Sequence, residues 1–194
     1  MSYTYTNIAA APTADDNGYV VSVDMKVGAY GLAATVPGYG ARHVTLKRTV
    51  VDAVDTPGTV VVVGKDLAGQ ALTETLIPGA NGVTVTGTQF FKSIVSITGV
   101  AWVIGGTDED TIIFGWDAVN AVATGGGVFH GIVVNTTAAG AITITDARGV
   151  IAVIKASVAE GFYGPYDVAF SGYLRVETAA ASDITVLHSE SMPI

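Results

Sequence analysis

The residues of this 194-residue chain that could support chemistry are three histidines, an acidic triplet and a Gly-Lys pair. The histidines, His43, His130 and His188, match none of the H-x-H, H-E-x-x-H or H-x-x-x-H spacings that bring metal ligands or bases together. His43 and His130 fall in or at the start of predicted strands, and all three are predicted to be structural. No G-x-S-x-G motif is present, so the sequence predicts neither nucleophilic catalysis nor an enzyme.

The Gly-Lys pair lies in GTVVVVGKDLAGQALTETL, residues 58–76, which at first resembles a phosphate-binding loop. Such a loop needs G-x-x-x-x-G-K-[ST], but five residues separate Gly58 from Gly64, and Asp66 stands where Ser or Thr is required. The β-branched residues 60–63 also stiffen a segment that would have to curl around an anion. The pattern instead predicts a buried strand at 60–63, a turn at 65–69 and a returning strand at 70–76.

The acidic triplet Asp108, Glu109 and Asp110 follows two glycines and has carboxylate oxygens of the kind that calcium prefers. Its spacing matches no known calcium loop, and acidic residues between two apolar strands are typical of a solvated hairpin loop. A hairpin loop is the prediction, and calcium at this triplet is the alternative. No cofactor is predicted.

Composition narrows the classes of partner. Only 13% of residues are charged and 49% are hydrophobic, against roughly 25% charged in typical soluble proteins, so we expect apolar surface to be buried against other chains. The net charge of −8 and nine scattered basic residues argue against nucleic acid. No apolar run of about 18 residues and no signal-peptide pattern is present, which predicts synthesis in the cytoplasm and no membrane partner. Without cysteine, disulfides and thiolate chemistry are excluded.

Strand signals dominate the chain, and no segment predicts a helix. Short runs of Val, Ile, Thr, Tyr and Phe alternate with polar residues and end at Gly, Pro, Asn or Asp. The predicted strands are 42–50, 59–63, 71–77, 83–86, 91–98, 101–104, 111–116, 128–135, 141–146, 150–156, 166–170, 173–178 and 183–187. Their regular spacing predicts an all-β fold built from small β-sandwich or barrel-like domains.

Two such domains in tandem are predicted. Residues 118–127 contain small side chains and the triple glycine 125–127, which predicts a flexible linker between a first β domain at 41–117 and a second at 128–194. Residues 1–40 are rich in turn formers and are predicted to be an arm that lies along a neighbouring subunit, or else an ordinary edge segment. The alternation of Tyr3 and Tyr5 with threonines suits an extended strand added to another sheet.

Aromatic side chains are the candidate interaction surface. The two tryptophans, Trp102 and Trp116, are expected in the core. Phe162, Tyr163 and Tyr166 cluster in a turn that we expect to be exposed, and together with Tyr3 and Tyr5 they form the predicted contact surface for protein or glycan.

Residues 62–115 contain a G-x-D-x-x-G-Q-x-L-T-E-T hairpin, an FFKSIVSIT strand and a Gly-Gly hairpin before an Ile-rich strand. This stretch resembles phage virion proteins encoded near capsid genes. The second half, from IVVNTTAAGAITITDARG to FSGYLRVETAAASDITVLH, is similar to the β-sandwich modules of phage decoration and head-fibre proteins. The resemblance implies a non-enzymatic capsid decoration protein of the virion, a homotrimer bound to the major capsid protein. A tail, neck or fibre component and a carbohydrate-binding module are the alternatives.

Overall fold

The fold is all-β, as the alternation of apolar and polar residues predicts. A computed structural model describes residues 3–8, 14–38, 40–51, 56–103, 105, 110–136, 138–180 and 182–190. These residues include no helix that is long and apolar enough to cross a membrane. In the described part of the chain the strands are β1 (Thr4–Ile8), β2 (Asp15–Asp24), β3 (Gly28–Ala29), β4 (Val44–Thr49), β5 (Thr59–Lys65), β6 (Ala71–Leu76), β7 (Thr84–Thr86), β8 (Ser93–Val100), β9 (Thr111–Trp116), β10 (Asn120–Thr124), β11 (Gly127–Val134), β12 (Ile142–Asp146), β13 (Gly149–Ile154), β14 (Gly161–Tyr163), β15 (Val168–Phe170), β16 (Tyr173–Thr178) and β17 (Ile184–Glu190).

The chain divides into two compact units, neither of which is one continuous stretch of sequence. The first unit comprises Ala14–Pro37 and Ala41–Asp117. The second comprises Met1–Thr13, Gly38–Gly40 and Ala118–Ile194. All strand pairs are antiparallel, which suits alternating sequences with one buried and one solvated face.

The first unit contains the sheets β2-β9-β4-β7 and β3-β8-β5-β6. Apolar residues from both sheets form one core, as in a β-sandwich. Trp102 is buried in this core, as expected, and Trp116 packs against it, with its ring lying over Gly18 where any side chain would clash. The buried members of the core are Tyr19, Val20, Met25, Tyr30, Val44, Leu46, Val60, Val62, Leu76, Phe91, Ile94, Ile97, Trp102, Ile112 and Phe114.

The second unit also contains two sheets. One has the order β1-β17-β11-β14, with β15 pairing with β11 beside it, and we call it the five-stranded sheet. The other has the order β10-β16-β12-β13. The shared core consists of Ile8, Val122, Ala123, Phe129, Ile132, Val134, Ala138, Ile142, Ile144, Ala152, Ile154, Phe170, Leu174, Val176, Ile184 and Val186.

The predicted linker at 118–127 is wrong. Asn120–Thr124 forms β10, which pairs with β16, and Asn120, Ala121, Val122 and Ala123 are buried. Glycine does mark a turn here, since Gly125 has a φ of +85° and donates its backbone N–H to the Gly172 carbonyl. The small side chains that indicated flexibility are instead the ones that fit between two packed sheets.

The described part of residues 1–40 is not an arm. Thr4–Ile8 pairs along its whole length with β17 of its own chain, and Ile8 is fully buried in the core of the second unit. Asp15–Asp24 pairs with β9, and Tyr19 and Val20 are buried in the core of the first unit. The arm is therefore wrong, whereas the alternative of an edge segment fits, since β1 and β2 each lie at the edge of a sheet. The glycines and alanines of this segment gave no local signal for its two long-range pairings.

Two further local predictions have different outcomes. The turn after β5 is confirmed: the Gln70 carbonyl accepts from the Asp66 N–H at 3.0 Å, and Gly69 has a φ of +78°. The predicted strand at 101–104 is wrong, because Ala101 has a φ of +57°, outside the β region, and Val103 makes only an isolated bridge with Thr56. Ile104 lies outside the described residues.

We expect Ile8→Ala to destabilise the second unit by about 2–5 kcal/mol, because it leaves a cavity in the core at the β1–β17 edge. Urea unfolding followed by far-ultraviolet circular dichroism measures the change. Thr4→Ala, on an exposed position of the same strand, is the control and should change the unfolding free energy by less than about 0.5 kcal/mol. Equal effects of the two variants would show that β1 is not part of the folded core.

Candidate functional site

The solvent face of the five-stranded sheet displays several of the predicted interaction residues. Residues paired across an antiparallel sheet lie on the same face. Tyr5 pairs with Leu187, and Leu187 pairs with Gly131 in the next strand. The neighbouring residues Ile132 and Val186 are fully buried, so this row faces away from the core.

A second row runs parallel to the first and ends at Phe162. It joins Asn7, Thr185, Val133 and Phe162 through the pairs between β1, β17, β11 and β14. The Phe162 ring leans back over Gly131: a methyl group there would come within 2.5 Å of a ring carbon. Glycine at position 131 therefore allows the ring to approach the sheet backbone closely, on the side of Tyr5.

Three aromatic rings and one leucine thus share this solvent face. We call Tyr3, Tyr5, Phe162 and Leu187 the aromatic face. Tyr3 precedes Tyr5 by two residues and so lies on the same side of the chain. Tyr3 is 55% exposed, Tyr5 65% and Phe162 51%. From the spacing of strands, β1 and the strand beneath the Phe162 ring are roughly 10 Å apart, so the rings flank a shallow strip of sheet.

The other two predicted residues do not join this face. Tyr163 pairs with the buried Ile132, packs against the core and donates its hydroxyl to the Ala159 carbonyl at 2.8 Å. Tyr166 stacks on the buried Phe129, with ring centroids 5.4 Å apart. The expectation of an exposed turn therefore holds for Phe162 and Tyr166, which are exposed, but not for Tyr163, because β14 directs Phe162 and Tyr163 to opposite faces.

His130 lies at one end of the aromatic face, in a β-bulge. The register between β11 and β17 shifts between Phe129 and Gly131, which leaves His130 as the extra residue. Its Nδ1 is 2.6 Å from Asp167 Oδ1, and its Nε2 is 3.1 Å from Ser189 Oγ. The Tyr3 ring meets the imidazole edge-on, with centroids 4.9 Å apart. Only the glycine after His130 hints at the bulge in the sequence.

The neighbouring histidine, His188, is on the core side of the same sheet. It is fully buried, its ring meets Phe170 edge-on, and its Nε2 is 3.3 Å from Thr6 Oγ1. Burial lowers the pKa of His188 below its ordinary value; nearby Glu190 opposes this and His130 adds to it. The neutral imidazole is therefore the form that the fold favours.

A polar network borders the aromatic face beside Tyr5. The side-chain amides of Asn7 and Asn135 both donate to Asp183 Oδ1, at 3.3 and 2.9 Å, and both contact Thr185 Oγ1. The two amide oxygens of these asparagines add acceptors at the surface. Rings next to amides and a carboxylate are a combination that can contact both the apolar and the hydroxyl groups of a ligand.

His43 and Asp110, two further residues singled out in the sequence, are held by hydrogen bonds within the fold. His43 Nδ1 lies 2.7 Å from Asp117 Oδ2, and its ring packs on Phe90. Asp110 is buried and accepts a hydrogen bond from the Val51 N–H, so it is not the solvated loop residue that was expected. Asp108 and Glu109 lie outside the described residues, among which no group of three His, Cys, Asp or Glu could hold a metal ion.

A shallow groove of about 510 Å³ lies in the second unit, lined in part by Arg148, Val150 and Val168. Arg148 is held there by the buried Asp146, which accepts from its Nε at 2.8 Å, and it donates to the Ala169 carbonyl. The arginine is thus engaged in closing the β12–β13 turn.

We expect acidification to cost the wild-type protein stability through His188. Its folded-state pKa lies below 6.5, so the unfolded chain takes up the proton first, and stability falls as the pH drops below about 6.5 toward the folded-state value. Urea unfolding at pH 7.5 and pH 5.5, followed by circular dichroism, should show a smaller pH effect in His188→Leu and in His188→Asn. An unchanged pH effect in both variants would contradict the assignment.

Comparisons of the chain with protein-family models, with curated proteins and with solved structures found no match. The chain's most distinctive surface is the aromatic face, with the polar network and the His130 cluster at its borders.

Proposed function

We propose that this protein is a structural component of a phage virion, a decoration protein that binds the assembled head and stabilises it. The aromatic face is the observation that carries the proposal. Three large exposed rings on one sheet face, with no lysine or arginine among them, match the composition of protein–protein interfaces, which are enriched in aromatics and depleted in lysine. The low charge content of the chain and the resemblance to decoration proteins agree with this role.

The mechanism of such a protein is selective binding to the assembled shell. A ligand that binds only the assembled state stabilises it by RT ln(1 + [L]/Kd) at each site, and the effect recurs at every copy. The exposed part of each ring is apolar area that a partner would bury, and a few such aromatic anchors typically dominate the binding energy of an interface.

The partners under this proposal are the major capsid protein and further copies of the same chain. A homotrimer fits the local three-fold positions that recur on icosahedral heads. The role requires no catalysis, cofactor, nucleic acid or membrane, and the net charge of −8 agrees with a protein surface rather than a phosphate backbone as the target. A tail, neck or fibre component is the alternative within the virion, and would be present in a few copies at one vertex.

The polar network favours a second candidate function, carbohydrate binding. Tyr5 offers a ring for the apolar face of a sugar, while Asn7 and Asp183 offer acceptors and a carboxylate for its hydroxyl groups. The absence of basic side chains from the aromatic face suits a neutral glycan.

We expect Tyr5→Ser combined with Phe162→Ser to weaken self-association and attachment to heads by at least about tenfold, because the two central rings are lost. Sedimentation equilibrium measures the first, and co-sedimentation with heads assembled without this protein measures the second. The control is Val150→Ser combined with Val153→Ser, which removes two exposed apolar side chains from the other sheet of the same unit.

Attachment that is unchanged by the ring substitutions, or weakened equally by the control, would overturn the assignment of the aromatic face. A wild-type protein that is strictly monomeric and does not bind heads would overturn the virion function itself.

The glycan alternative makes a separate prediction. If the face binds sugar, immobilised glycans should retain the wild-type protein, and Tyr5→Ser and Asp183→Ala should each abolish retention. Binding to heads with no retention on any glycan would exclude this alternative.

A further inference from the structure

We propose that Ser189 is a nucleophile activated by His130 and Asp167, and that it is acylated by small activated esters. This goes beyond the proposed structural function and does not depend on it. The three side chains form one hydrogen-bonded chain, with 3.1 Å between Ser189 Oγ and His130 Nε2 and 2.6 Å between His130 Nδ1 and Asp167 Oδ1. Both distances lie within the reach that a nucleophile and its base require.

The order of the nitrogens is the one that the chemistry needs. A carboxylate only accepts hydrogen bonds, so its partner Nδ1 carries the proton in the neutral imidazole. Nε2 is then left with a lone pair directed at the serine hydroxyl. Asp167 therefore fixes the tautomer in which His130 can act as a base.

Two local irregularities bring these side chains together. His130 is the extra residue of a β-bulge, a feature that redirects side chains and is common next to active sites. Asp167 has a φ of +49°, which is uncommon for a residue other than glycine. Ser189 lies in β17 on the solvent side of the sheet, paired with Val128. Strain of this kind persists where surrounding structure imposes it, and here it orients one carboxylate toward one imidazole.

The reaction follows from these positions. Ser189 Oγ attacks the ester carbonyl as its proton moves to His130 Nε2, and the bond between Oγ and the acyl carbon forms. The bond to the leaving oxygen then breaks, and Nε2 returns the proton to that oxygen. Water attacks the acyl-serine by the same route, which releases the acid and restores the hydroxyl. An activated ester has a good leaving group, so activation of the serine is enough for acylation, and the reaction does not require an oxyanion hole.

Burial limits the size of the acyl group. Ser189 is 5% exposed and the His130 side chain 13%, whereas the Asp167 side chain is 63% exposed. Only a short acyl chain can approach Oγ, past the Tyr3 ring that lies against His130. Acetyl and similarly short esters are therefore the substrate class.

The test is covalent labelling of the whole protein by a small fluorophosphonate, read by intact mass and peptide mapping. We expect one label, on Ser189, and slow hydrolysis of 4-nitrophenyl acetate. Ser189→Ala should abolish both. His130→Gln should slow labelling by about 10²–10⁴-fold, the usual contribution of a general base, and Asp167→Asn should slow it at least tenfold.

The matched control is Ser182→Ala, which removes another buried serine of the same unit, one that donates to the Ala180 carbonyl and has no histidine partner among its described hydrogen bonds. It should leave labelling unchanged.

Circular dichroism establishes that each variant is folded. Ser189 is buried and His130 is mostly buried, and their substitution could prevent folding. Asp167 is exposed, so Asp167→Asn still tests the inference in that case. An unlabelled wild type, a label elsewhere, or labelling that is indifferent to both His130→Gln and Asp167→Asn would overturn it. Attachment to heads should be unaffected by Ser189→Ala, which separates this result from the proposed function.

Discussion

The pairing of the first strand with the last is the constraint on which the second unit depends. Thr4–Ile8 lies antiparallel to β17, and the contact between Thr6 and His188 spans 182 residues of sequence. Closing so long a loop costs conformational entropy, but the cost rises only slowly with length, by about 0.6 kcal/mol for each doubling. The paired strand brings Ile8 into the core and covers an edge of β17 that would otherwise expose its N–H and C=O groups. It also places Tyr3 against His130 and Tyr5 beside Leu187, so the aromatic face is complete only when β1 pairs with β17.

Sequence periodicity predicted most of the strands, because antiparallel sheets with one buried face impose a period of two. The segment at 111–116 has the predicted bounds, and the strand at 59–65 has the alternating burial that a valine run allows. The failures have a common cause. β10, with the sequence NAVAT, is buried at four of its five positions, so it has no solvated side to produce an alternation. β1 contributes only one buried residue, so its identity as a strand comes from a partner near the other end of the chain. Neither the burial of both sides of β10 nor the distant pairing of β1 produces a pattern within a local window of sequence.

The candidate site shows the same division between local and long-range information. The sequence predicted Tyr3, Tyr5, Phe162, Tyr163 and Tyr166 as interaction residues, since large rings in a chain with few charges need a partner or a core. It could not separate Phe162 from Tyr163, because the bounds of β14 decide which ring faces solvent. It also missed the cluster at His130, whose partners lie 37 and 59 residues away and converge only through a bulge and a left-handed Asp167. Sequence motifs identify catalytic groups that lie at short, fixed spacings, and the residues of this cluster do not lie at such spacings.

The aromatic face and the Ser189 cluster place opposite demands on the same sheet. An interface gains most when its rings are rigid and its water is excluded, so occupation of the face would bury Tyr3 further and close the approach to Ser189. A nucleophile needs that approach open. The two properties are therefore compatible only at different times: a free subunit could react, and an attached subunit could not. Attachment through several copies would strengthen this exclusion, because each bound subunit raises the effective concentration of its neighbours at the surface. Under the two proposals, the rings that would bind a partner would therefore also control access to the buried Ser189.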